Sequence, residues 1–155
     1  MARVYTVSFS AVAVTAAQDF FEIIPAADHP VVLLGVFIDQ YSDVGDAEEE
    51  LLRWSIVRGH ATGGSGGSAP TPVPLDPGDA AANFDAEVNN TTIASAGTGV
   101  TLHSGAFNIR SGLAVMFPPE MTPMANNGDD TIVVRLLANP TDSLSMSGTL
   151  YVAEL

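Results

Sequence analysis

Tyr5-Thr6-Val7-Ser8-Phe9-Ser10-Ala11-Val12-Ala13 puts an apolar side chain at every odd position, with Thr6, Ser8 and Ser10 between them. Successive side chains of a β-strand point to opposite faces, so a period of two describes a strand with one face in a core and the other in water. The far end of the chain repeats the pattern. Leu144, Met146, Leu150 and Val152 alternate with Ser143, Ser145, Ser147, Thr149 and Tyr151. Gly148 stands on the apolar row, where the missing side chain lets a neighbour approach closely. Two terminal strands of this kind are expected to pair with each other.

Six further strands are expected between these two, at residues 20–24, 31–38, 52–57, 100–109, 113–117 and 131–138. The run 31–38 is almost continuously apolar, as in a central strand covered on both faces. Gly, Pro, Asn and Asp clusters separate the runs, with Asn126-Asn127-Gly128-Asp129-Asp130 the clearest turn. The expectation is therefore all-β: one antiparallel β-sandwich or jelly roll of about eight strands spanning residues 1–155. The segment 46–52 is either one helical turn, with Asp46 as N-cap before Ala47, Glu48, Glu49 and Glu50, or the acidic lead-in to the strand carrying Trp54. Residues 62–77 form a low-complexity loop, glycine-serine-rich and then proline-rich. Its first half is expected to be flexible and its second half extended.

A length of 155 residues suits one domain with a sizeable core. Eighteen acidic residues face five arginines and no lysine, a net charge of −13. That balance disfavours binding to nucleic acid or to an anionic membrane surface, and it keeps free subunits soluble. The absence of cysteine excludes disulfides and thiol chemistry. Residues 4–14 are too interrupted by Thr and Ser for a secretory leader, and no apolar run reaches membrane-spanning length.

Candidate chemistry is sparse. The glycines of 63–68 lack the lysine and the following helix of a phosphate loop. His29, His60 and His103 have no metal-ligand spacing, so structural roles are expected for them. The acidic stretch 39–50 (Asp39, Asp43, Asp46, Glu48, Glu49, Glu50) could hold calcium, but it lacks the EF-hand alternation and reads as a solvated loop. Trp54 and the other strand aromatics read as core. The sequence nominates no catalytic residue, metal ligand or cofactor.

Several segments resemble small tailed-bacteriophage virion proteins. These are Met1-Ala2-Arg3-Val4-Tyr5-Thr6-Val7, Ser42-Asp43-Val44-Gly45-Asp46-Ala47, Leu52-Arg53 on to Arg58-Gly59-His60, and the Gly-Ser-Gly-Gly-Ser-Ala-Pro-Thr-Pro stretch. Glu87-Val88-Asn89-Asn90-Thr91-Thr92, Pro118-Pro119-Glu120-Met121 and Ser147-Gly148-Thr149-Leu150-Tyr151-Val152 share the likeness. It implies a non-enzymatic capsid decoration (cement) protein, made in the host cytoplasm and seated on the capsid exterior. Its implied partner is the major capsid protein, and its implied state a homo-oligomer, a trimer by preference. The contact elements expected on this reading are the loop, through Gly63, Gly64, Gly66, Gly67, Pro70, Pro72 and Pro74, and the first strand, through Tyr5 and Val7. The alternatives are a carbohydrate- or receptor-binding module of a tail or head fibre, and a hydrolase using paired carboxylates.

Overall fold

The computed structural model describes residues 2–41 and 49–155. Among them run eleven strands: β1 (Arg3–Val14), β2 (Gln18–Pro25), β3 (Val31–Gln40), β4 (Leu51–His60), β5 (Val73–Pro74), β6 (Phe84–Asn90), β7 (Val100–Asn108), β8 (Leu113–Met116), β9 (Met124–Ala125), β10 (Thr131–Leu136) and β11 (Leu144–Glu154). The terminal strands do pair, antiparallel, from Arg3 opposite Glu154 to Val14 opposite Leu144. All pairings are antiparallel and fall into two sheets. One has the order β5-β1-β11-β3-β8, with β9 added to β3; the other has the order β6-β2-β10-β4-β7.

The two sheets share one buried core. Tyr5, Val7 and Phe9 of β1 meet Leu150 and Val152 of β11, and Phe21, Trp54, Ile132 and Val134 come from the second sheet. Burying a large apolar side chain of this sort is worth about 1.5–3 kcal/mol each, which is why the alternating rows dictate the layers. The inner row of β11 is the one read from the sequence: Leu144, Met146, Gly148, Leu150 and Val152 are all buried.

Three features depart from the sequence expectation. The alternation of β1 does not run through to Ala13: the register slips between Phe9 and Val12, and Ala11 sits at φ 53°. This β-bulge inverts the phase, so Ala11 and Ala13 face solvent while Val14 is buried. The Ala11 N–H donates to Ser147 Oγ at 2.9 Å. The expected helical turn at 46–52 lies partly outside the described residues, and its end is strand, since Leu51 and Leu52 open β4. Finally, β5, β6 and β9 add to the eight expected strands.

Gly148 faces two phenyl rings. A Cβ there would lie 2.8 Å from Phe9 Cε1 and 3.1 Å from Phe21 Cζ. Gly148→Ala is therefore expected to overpack the core and cost about 1–3 kcal/mol, read as a lower urea midpoint at unchanged m-value.

Candidate functional site

The loop proposed for partner contact is an ordered strap. Residues 61–83 leave β4 in one sheet, cross the edge of the sandwich, and return through β6. Between Thr62 and Ser68 the strap makes reciprocal backbone bonds to 88–95: Thr62 with Ser95, Ser65 with Thr92, and Ser68 with Val88, all at 2.8–3.0 Å. The pairing residues recur every third position in Thr62-Gly63-Gly64-Ser65-Gly66-Gly67-Ser68, with two glycines between each pair. The glycines allow backbone to lie on backbone. A Cβ on Gly67 would overlap the Val88 carbonyl oxygen, and one on Gly64 would sit 2.6 Å from the Thr92 oxygen. The expected flexibility of this half is replaced by a hydrogen-bonded ladder.

Buried carboxylates hold both ends of the strap. At its start, Glu22 of β2 accepts from the Gly64 N–H at 2.8 Å and from Asn90 Nδ2 at 3.0 Å, while Asn90 Oδ1 accepts from the Gly67 N–H at 3.2 Å. Glu22 is fully buried, and its second oxygen, Oε1, has no hydrogen-bond partner among the described residues. Burial holds its carboxyl above the usual range; the Gly64 and Asn90 bonds pull the other way, and nearby Glu87 and Asp19 add to the rise. Beside it, Asp19 takes two bonds from Arg135, at 2.5 and 3.0 Å, and one from the Ala94 N–H at 2.7 Å. Arg135 also donates to the Ala94 carbonyl at 2.9 Å, tying the return segment to the sheet.

At the other end, Glu154 of β11 receives the Asn83 N–H at 2.9 Å, Asn83 Nδ2 at 2.6 Å and the Arg3 guanidinium. Burial pushes its carboxyl up, but the Asn83 and Arg3 bonds outweigh that and leave it below the usual range. Midway, β5 pairs with Tyr5 and Thr6 of β1, and the Leu75 N–H donates to the Val4 carbonyl at 2.8 Å.

The nominated contact residues are distributed accordingly. Tyr5 and Val7 are 0% and 1% exposed, so their side chains belong to the core and not to a partner. Tyr5 packs edge-to-face on Phe84, at 5.5 Å between centroids, and its hydroxyl donates to the Ala80 carbonyl of the strap at 2.9 Å. Gly63, Gly66 and Gly67 are exposed and Gly64 half-buried. Pro70, Pro72 and Pro74 are half-buried against the body, and the large apolar side chains the strap presents outward, among its exposed polar ones, are Val73 and Leu75, 59% and 57% exposed. Those two escaped the sequence reading, although they alternate with the prolines.

The three histidines lie in different parts of the fold. His29 Nδ1 lies 3.4 Å from Glu154, buried His60 is near the Ala96 carbonyl, and the His103 ring lies 4.8 Å from that of Trp54, tilted at 36°. Most of the acidic stretch 39–50 lies outside the described residues; within it, Glu50 accepts from the Thr141 N–H and hydroxyl. Among the described residues no group of three or more His, Asp or Glu side chains is placed to hold a metal ion, and no helix is long and apolar enough to cross a membrane. No protein-family model, curated protein or solved structure matches this chain.

The two strap carboxylates titrate in opposite senses. Glu154, lowered in the fold, contributes stability above the ordinary glutamate range that is lost as pH falls through its folded value. Glu22, raised in the fold, binds its proton more tightly folded than unfolded, so its ionisation costs stability as pH rises from the ordinary range through its folded value. Glu22→Gln keeps an oxygen for Gly64 and removes that cost. Urea midpoints taken against pH should show the variant gaining on wild type as pH rises through that window, whereas Glu154→Gln should lose ground in the lower window, as pH rises from the folded value of Glu154 to the ordinary glutamate range.

Proposed function

We propose that this chain is a non-enzymatic virion structural protein, a capsid decoration (cement) protein that binds a major capsid protein and stabilises the shell. The fold proposed with it is a jelly roll, the architecture of many viral capsid domains. What supports this reading is the strand order. β1, β2, β3, β4, β7, β8, β10 and β11 follow the two four-stranded rows of a jelly roll, β1-β11-β3-β8 facing β2-β10-β4-β7. β5 and β6 extend one side of it, and both belong to the strap or its return.

The surface proposed to meet the shell is the strap, with Val73 and Leu75 as its apolar contacts. A protein that binds only the assembled shell stabilises it by mass action, so no reaction chemistry is needed for the role. Jelly rolls also serve as lectin domains, which keeps a receptor-binding module as the second reading.

Co-sedimentation with shells of the major capsid protein from the same virus tests the proposal. The chain is expected to pellet with shells and raise their melting temperature. Val73→Asp with Leu75→Asp is expected to weaken binding at least about tenfold, the loss of roughly 1.4 kcal/mol, without moving the chain's own urea midpoint. Failure to pellet, together with a specific glycan-array signal, would favour the receptor-binding reading.

A further inference from the structure

The edge opposite the strap is built differently. β7 borders the five-stranded sheet and pairs only with β4 among the described residues, and six of its nine residues are exposed. Edge strands are ordinarily blunted by charge, proline, bulges or a covering segment. A bulge interrupts β7 near Leu102, but from His103 to Asn108 the ladder with β4 runs regularly and carries neither charge nor proline.

The direction of its backbone groups follows from the ladder. The Ile109 N–H donates to the Glu50 carbonyl, and the Leu137 N–H to the carbonyl of Arg53, which therefore faces β10. Antiparallel pairs alternate between bonded and non-bonded, so Ser104 and Ala106 turn their N–H and C=O groups away from β4, to the open side. Both residues are exposed.

Charge singles out the same edge. All eighteen acidic residues lie outside 88–119, the stretch that contains both β7 and β8, and Arg110 is its only charged residue besides the titratable His103. Val100 and Leu102 of β7 and Met116 of β8 are exposed there, at 46%, 37% and 65%. Two copies carrying −13 each repel wherever their carboxylates face each other. β7 itself presents no carboxylate to a second copy; Glu120 lines a cleft with Leu102 and His103, away from Gly105 in the strand.

We infer that β7 is a self-association edge: a second copy of this chain adds its own β7 antiparallel, across a two-fold axis near Gly105. In that arrangement Ser104 of each copy exchanges backbone bonds with Ala106 of the other, and two five-stranded sheets become one continuous sheet. The contact is isologous, with the same patch on both subunits. It replaces the three-fold self-association that the virion resemblance implies, and it stands independently of capsid binding.

Light scattering coupled to size exclusion, on the full chain across a concentration series, tests it with two variants. Ala106→Pro removes an outward N–H that serves no bond among the described residues, and Ser104→Lys places like charges across the axis. Wild type is expected to be a dimer. Both variants are expected to be monomers at the same concentration, with far-UV circular dichroism unchanged for Ser104→Lys, which keeps the test sound should the proline variant misfold. A monomeric or trimeric wild type, or a dimer that Ser104→Lys leaves intact, overturns the inference. So does a wild type that dimerises only after an extended peptide from another protein is added.

Discussion

Two antiparallel sheets packed face to face leave four edges, and each edge strand exposes backbone donors and acceptors that must find partners. That constraint organises this molecule. One side of the sandwich, where β1 and β6 would stand open, is covered by a strap that bonds to the return segment, pairs briefly with β1, and is gripped at its ends by carboxylates. The other side presents β7. The asymmetry between a closed edge and an open one places both proposed contact surfaces.

Gripping a strap with buried acids is costly unless every charge is met. Asp19 is met by the Arg135 fork, and Glu154 by Arg3 and Asn83, so both behave as paired charges. Glu22 has hydrogen-bond donors but no cation, one of its oxygens has no partner among the described residues, and burial raises its affinity for a proton. Removing one partner of a buried pair such as Asp19–Arg135 typically costs about 3–5 kcal/mol, because the remaining charge stays desolvated.

The sheets were legible in the sequence because half-buried strands write their burial as a period of two. β11 is the clearest instance, and the pairing of the two termini followed from it. The bulge at Ala11 was not legible, since alanine carries no sign that it will adopt φ 53°. β6 is not among the expected strands, although Phe84, Ala86 and Val88 alternate with Asp85 and Glu87. The strap contains the segment 62–77, whose composition is that of a loop and carries no sign of the ladder it forms. Glycine and serine signal flexibility only when nothing pairs with them, and the partner strand, 88–95, is distant enough to be invisible to local pattern. Tyr5 and Val7 were nominated as contacts from a strand whose inner row they form.

Amide hydrogen exchange resolved by residue tests most directly whether the strap is a closed edge. The N–H groups of Thr62, Ser65, Ser68, Thr92 and Ser95 should exchange with protection comparable to the amides of β2 and β10. Exchange of these five at the rate of an unstructured glycine-rich peptide, while β2 and β10 stay protected, would contradict it.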